Sequence, residues 1–163
     1  MPQIVAACAE PEIVRYIPVP VPYTEADAHA WLDSQPAYDG LSMAIADAAD
    51  PARVLGSIGV NRVRWEFGSG EIGYWVVADA RGRGVATRAL RLVSNWALRR
   101  VGLERLELLA EPENAASNAV ALRCGYVREG LLRRARPQRG ERRDYVLYGL
   151  LREDVLTSHQ GSG

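Results

Sequence analysis

Residues 71–110 read EIGYWVVADARGRGVATRALRLVSNWALRRVGLERLELLA, and a change of rhythm inside them decides the fold. Residues 71–78 are rich in β-branched and aromatic side chains, which suit a pleated strand. The period then lengthens. Over 86–101, Leu90, Val93, Ala97 and Val101 recur at helical spacing, with Arg88, Arg91, Asn95 and Arg99 opposite. Gly102 closes that helix, because glycine enters the left-handed region without a Cβ clash. Residues 105–110 are a further strand. Between strand and helix lies Asp79-Ala80-Arg81-Gly82-Arg83-Gly84-Val85-Ala86-Thr87.

Working outward, residues 41–46 and 54–64 read as strands that form an antiparallel meander with 71–78, across a Gly/Ser turn at 68–70. Downstream, Asn114 caps a short helix over 115–124, ended by Gly125. Strands at 126–136 and 142–151 flank the turn PQRGE. Upstream, a short helix over 2–10 is ended by Pro11, and the proline-rich 17–23 is extended. Thr24 caps a helix carrying Ala28, Trp31 and Leu32 on one face, finished by Ser34–Pro36. The expected order is α-β-β-β-α-β-α-β-β. One strand–loop–helix–strand unit flanked by hairpins predicts an α/β (α+β) fold: a mixed, mostly antiparallel sheet with helices on both faces. Residues 1–156 are expected to be a single domain, and 157–163 a disordered tail.

Composition narrows the chemistry. The chain has 163 residues, with 20 basic side chains balancing 20 acidic ones, and every basic one is arginine. Without lysine there is no Schiff base, no pyridoxal-phosphate anchor and no Walker-type nucleotide loop. A net charge near zero argues against bulk attraction to nucleic acid or anionic membrane. No apolar run approaches the ~20 residues of a membrane span. Two cysteines (Cys8, Cys124) and two histidines (His29, His159) suggest neither a disulfide framework nor a metal cluster. A reduced, cytoplasmic setting is the expectation.

In the loop, Gly82 and Gly84 let the backbone turn tightly and a ligand approach closely. The following helix offers unpaired N–H groups and the positive end of its dipole, so a diphosphate is the natural guest. Arg81 and Arg83 could add charge. The alternative is a connection that needs glycine for geometry alone. A dinucleotide fingerprint is disfavoured, because the third glycine of G-x-G-x-x-G is absent from Gly82-Arg83-Gly84-Val85-Ala86-Thr87.

The segment Arg81-Gly82-Arg83-Gly84-Val85-Ala86 resembles the acyl-CoA signature of the GNAT N-acyltransferase superfamily. Asn114-Ala115-Ala116-Ser117, then Cys124-Gly125-Tyr126, then Glu129-Gly130-Leu131-Leu132-Arg133, is similar to the ribosomal-protein N-acetyltransferase (RimJ/RimL-like) branch. Pro22-Tyr23-Thr24 with Asp27-Ala28, and Glu71-Ile72-Gly73-Tyr74, fit the same branch. The likeness spans roughly residues 3–155. One departure stands out: the branch opens with a strand that has no counterpart here, so the sheet is expected to lack its first strand and to expose an edge.

The resemblance implies an acetyl-CoA-dependent N-acetyltransferase that passes acetyl directly to an amine, without metal. The diphosphate would lie on the N–H groups of Gly82, Arg83, Gly84, Val85, Ala86 and Thr87. The pantetheine arm would pair with Trp75, Val76 and Val77, with Asn114 as both helix cap and pantetheine partner. Ser117 is the implied donor to the leaving sulfur; the tyrosine some relatives use seven residues after the asparagine is Ala121 here. Glu71 is the first candidate base, with Glu111 and Glu113 as rivals, and Glu71 also reads as a solvated carboxylate after a turn. Glu129 reads as an organiser of the last hairpin, and Cys124 as a small buried apolar residue. The run Arg133, Arg134, Arg136, Arg139, Arg142 and Arg143 reads as a solvated hairpin, or as a contact to the CoA 3′-phosphate or an acidic acceptor. Partners are therefore acetyl-CoA and an amine, with no membrane. Nucleic acid is not expected, because aromatics are not interleaved with the arginines. The sequence does not encode the oligomeric state legibly, and a dimer is compatible with it. A non-catalytic acyl-CoA-binding module is the alternative.

Overall fold

The computed structural model describes residues 1–34 and 40–157. Three helices come first: α1 (Pro2–Cys8), α2 (Pro11–Tyr16) and α3 (Glu25–Ser34). After them come β1 (Leu41–Ala46), β2 (Val54–Arg64), β3 (Ser69–Val76), α4 (Val85–Trp96), β4 (Arg105–Ala110), α5 (Ala115–Arg123), β5 (Val127–Gln138), β6 (Glu141–Leu151) and α6 (Arg152–Thr157). The strands form one sheet in the order β1-β2-β3-β4-β6-β5. Among the described residues only β3 and β4 pair in parallel, as a helical crossover requires. The expected mixed, mostly antiparallel sheet with helices on both faces is what the chain adopts, and β1 lies at one edge.

Two helices escape the sequence reading. Pro11 opens α2 instead of only closing α1, because proline at the first helical position loses no hydrogen bond and has its φ preset. At the other end, Asp154 accepts from Leu151 N–H at 2.9 Å and so starts α6. Ser69 and Gly70, read as turn, belong to β3; the reversal happens at Gly68, at φ 59° after a 3-10 turn. The Thr24 cap forms as expected: Thr24 N–H donates to Asp27 Oδ2 at 2.8 Å, and Asp27 N–H donates back to Thr24 Oγ at 3.3 Å. The expected stop at Ser34–Pro36 runs past the described residues, as does the tail from residue 158.

Alternation along β4 shows how the two faces differ. Leu106, Leu108 and Ala110 are buried, whereas Arg105, Glu107 and Leu109 are half-buried. The buried set meets Leu90, Val93, Ala97 and Leu98 of the α4 segment and Ala121 of α5 in the main core. The helix expected over 86–101 continues past Trp96 in a wider turn, where Gly102 and Leu103 N–H both donate to Ala97 O at 3.1 Å. The second face carries ion pairs and lies under α1–α3. There Arg105 pairs with Glu129 across β6. A Cβ on Gly149 would lie 2.3 Å from Glu129 Oε1, so the intervening strand has glycine where the pair passes. The expected role of Glu129 in organising the hairpin has this physical form.

Candidate active site

The feature that makes a site is a gap in the sheet. β3 and β4 pair only over Ser69–Glu71 and Arg105–Glu107, and no ladder joins them beyond. On its other side β3 stays paired with β2 up to Val76. The second half of β3 therefore keeps one unpaired backbone edge, at Trp75 and Val76, facing the gap. An extended amide-bearing ligand fits such an edge as an added strand. Val76 O already accepts from Arg81 Nε at 2.9 Å, and Val77 N–H donates to Leu55 O at 2.9 Å.

At the end of the gap stands the glycine loop. Gly82 and Gly84 are at φ 71° and 72°, so both glycines are needed for backbone geometry. Gly84 is the N-cap of α4 with no side chain capping it, which leaves the first-turn N–H groups of Val85, Ala86 and Thr87 for an anion. Arg81 behaves differently from the expectation that it adds charge to a diphosphate. Its guanidinium pairs with Glu10 at 2.7 Å and with Glu12, and Glu10 also accepts from Ala78 N–H at 3.1 Å. Arg81 thus ties the loop to the α1–α2 junction, and its charge is neutralised there. Arg83 is exposed. Arg88 donates to Arg83 O at 3.0 Å, so it reaches the loop mouth from one turn into α4. The sequence placed Arg88 only on the helix face opposite Leu90 and Val93; its spacing of four from Gly84 was the signal.

On the face of α4 and α5, Ser117 Oγ lies 3.0 Å from Tyr74 Oη. Burial pushes the Tyr74 phenol up to about 12, so this hydroxyl stays protonated at neutral pH. Asn114 Oδ1 accepts from Ser117 N–H at 3.0 Å, which makes Asn114 the cap and orients the first turn of α5. Asn118 clamps the preceding loop, donating to Glu111 O at 2.9 Å and Asn114 O at 2.7 Å, and accepts from Tyr148 Oη at 2.8 Å. Sequence reasoning missed Tyr74, Asn118 and Tyr148 as site residues, because their partners come from other strands and helices.

The opposite face holds the carboxylates. Both oxygens of Glu71 accept from Arg136, one at 2.8 Å, and Arg62 lies 3.4 Å from it. A carboxylate gripped in this bidentate way is held in one orientation by charge-assisted bonds. Glu111 is 5% exposed just past β4, while Glu113 is exposed. Trp75 faces a cavity of about 510 Å³ whose walls include Ser57, Cys8, Tyr23 and Trp31. Most of the arginine run builds the hairpin: Arg139 donates to Val14 O at 2.7 Å, Arg142 to Arg134 O at 2.8 Å, and Arg143 pairs with Glu141 at 2.9 Å. Cys124 donates to Thr87 O at 3.4 Å, and burial pushes its thiol up, which suits a packing role. Among the described residues no group of three His, Cys, Asp or Glu could hold a metal ion.

Hydroxyl donors on one face of the gap and carboxylates on the other suit a reaction in which nucleophile and leaving group use opposite sides. The acetyltransferase (GNAT) domain family matches residues 1–127. An uncharacterized N-acetyltransferase of Bacillus licheniformis is 31% identical over 62% of this chain and 57% of its own length. The ribosomal-protein-serine acetyltransferase of Escherichia coli is 33% identical over 50% of this chain and 46% of its own. The matched stretch thus spans about half the length of these curated relatives. A GNAT-family acetyltransferase structure from Bacillus anthracis superposes with a TM-score of 0.82 at 22% identity, covering 93% of this chain and 89% of that one, and so shares the fold.

Proposed function

The chain belongs to the GNAT acetyltransferase family, and from that membership we propose that it transfers acetyl from acetyl-CoA directly to a primary amine. The observation that carries the reading is the parted β3–β4 pair, with the uncapped end of α4 beyond it and the Tyr74–Ser117 hydroxyl pair beside it. The N–H groups of Gly82 to Thr87, with Arg83 and Arg88, receive the diphosphate. Trp75, Val76 and Val77 line the pantetheine arm, and Asn114 holds the far bank. Arg81 serves by fixing the loop.

Direct transfer needs a neutral amine, a stabilised oxyanion and a protonated leaving thiolate. Ser117 donates to the sulfur, and Tyr74 holds Ser117 in place from β3. Glu71 acts through its charge, holding Arg136 and with it the β5–β6 hairpin against the acceptor face. An α-amine has a pKa of about 7.7–8.0 and a lysine amine about 10.4, so deprotonating lysine at pH 7 costs roughly 3 kcal/mol more. A protein N-terminus is thus the acceptor that asks least of the site, in keeping with the relative named for serine acetylation. A small-molecule amine is compatible. A cytoplasmic setting belongs to the same proposal; no described helix is long and apolar enough to cross a membrane.

The test is a thermal shift with acetyl-CoA and CoA, followed by CoA release over a panel of peptides, amino acids, polyamines and aminoglycosides. Binding with turnover of an amine is the expected result. No shift with either ligand sinks the proposal. The ion-paired state of Glu71 favours one rival, a non-catalytic acyl-CoA-binding module, which predicts binding without turnover of any amine.

A further inference from the structure

Glu111 is a buried acid that the loop around it does not use. Its backbone is fixed, since its carbonyl accepts from Asn114 N–H at 3.0 Å and from Asn118 Nδ2 at 2.9 Å. The residue is 5% exposed. Burial of an acid disfavours its ionised form. The groups that act on it come from three directions: Arg143 on β6, Arg15 on α2, and Glu113 on its own loop. Tyr145 on β6 also senses its charge. Burial and Glu113 push the Glu111 carboxyl up, and Arg143 and Arg15 pull it down, with burial the largest effect.

Position adds to this. Glu111 stands where β4 has parted from β3, and the alternation that turns Leu106, Leu108 and Ala110 inward carries it onto the face of Glu107, the register partner of Glu71, away from Ser117. We propose that Glu111 is a catalytic residue, the base that receives a proton from a primary ammonium acceptor entering beneath α2; the assignment rests on the acetyl-transfer reading above. The ammonium gives one proton to the Glu111 carboxylate. The nitrogen lone pair then forms the C–N bond at the thioester carbonyl carbon. The C–S bond breaks, and its electron pair leaves on sulfur. The second nitrogen proton reaches that sulfur by way of Ser117, and Glu111 later releases its proton to solvent, so one amide, one thiol and one proton result.

The experiment uses the full chain with acetyl-CoA and a hexapeptide bearing a free N-terminal serine, alongside the amine panel. Glu111→Gln is expected to lower kcat by about 100-fold or more and to remove the acidic limb of kcat/KM against pH, with acetyl-CoA affinity within about threefold. Glu111→Asp keeps the limb at reduced rate, which separates lost chemistry from lost folding. In parallel, 13C NMR of δ-carboxyl-labelled glutamates with CoA bound identifies the resonance missing from Glu111→Gln, and this resonance is expected to titrate above the ordinary range near 4.3. Turnover by Glu111→Gln within tenfold of the parent with an unchanged limb overturns the assignment alone. So does a Glu111 resonance titrating in or below the ordinary range, whatever the panel shows. Absence of acetyl-CoA binding by the parent chain overturns the functional reading, and this assignment with it.

Discussion

The hydroxyls of Tyr74 and Ser117 lie 3.0 Å apart, joining the unpaired half of β3 to the first turn of α5. This bond crosses the gap on the face opposite Glu71. Ser117→Ala is expected to lower kcat by about 100-fold with little change in acetyl-CoA affinity, because it removes the proposed donor to the leaving sulfur. Tyr74→Phe leaves that hydroxyl in place but unoriented, and a loss of about tenfold is expected, of the size of one hydrogen bond. Steady-state CoA release and acetyl-CoA titration check both.

The two loop glycines make a controlled comparison. Gly82 and Gly84 share nearly the same φ, but a Cβ on Gly82 meets nothing within 4 Å, whereas one on Gly84 meets Arg88 Nη1 at 3.1 Å. Alanine at either position carries a backbone cost of roughly 1 kcal/mol. Gly84→Ala also displaces the flexible end of Arg88 from the loop mouth. Both variants are expected to melt a few degrees lower, and Gly84→Ala to bind acetyl-CoA about fivefold more weakly than Gly82→Ala, as read by calorimetric titration.

Glu71 and Arg136 are 17% and 29% exposed and bonded through both carboxylate oxygens. Breaking the pair leaves a half-buried charge. Glu71→Gln and Arg136→Met are each expected to cost about 1–2 kcal/mol of stability, below the roughly 3–5 kcal/mol of a fully buried pair. Glu71→Gln should retain the acidic limb of the pH profile. A hundredfold loss of kcat at unchanged melting temperature would instead make Glu71 the base.

The Arg105–Glu129 pair predicts an acid-dependent contribution to stability. Arg105 holds the Glu129 carboxyl below its usual range. The unfolded chain then takes up this proton first as the pH falls, so the pair's contribution is present at neutral pH and is lost below about 4.3 as the folded acid titrates. With both side chains partly exposed, Glu129→Gln is expected to cost about 0.5–1 kcal/mol at pH 7. Denaturant melts at pH 7 and pH 3 should show that difference shrinking toward zero.

Glu111 gives the opposite slope. Its carboxyl is raised, so the folded chain binds this proton more tightly than the unfolded one. Its effect on stability is most favourable below the unfolded value near 4.3 and declines as the pH rises through the folded value. Glu111→Gln, which never ionises, should therefore gain on the parent chain between pH 4 and pH 8 in parallel melts.

Much of the site's frame was legible because it is local. The Asn114 cap, the Thr24 cap and the paired loop glycines are set by residues within one turn of each other, where side chain and backbone meet whatever the rest of the chain does. The short helices α2 and α6 were less legible. Pro11 ends one helix and begins another, and six residues carry too little periodicity to show the second.

By itself the sequence determined the strand–loop–helix–strand unit, the mixed sheet and the anion-ready end of α4, because periods of 2 and 3.6 and the freedom of glycine act over neighbouring residues. The tertiary structure decided what each charged group does. Arg136 reaches Glu71 across 65 positions, Arg81 reaches Glu10 across 71, and Tyr74 reaches Ser117 across 43. Those meetings come from strand order and register, and they set Arg81, expected at the phosphates, and Glu71, the first candidate base, in ion pairs with distant elements. They also bury Glu111 just past the end of β4, where Arg143 of β6 and Arg15 of α2 act on its charge.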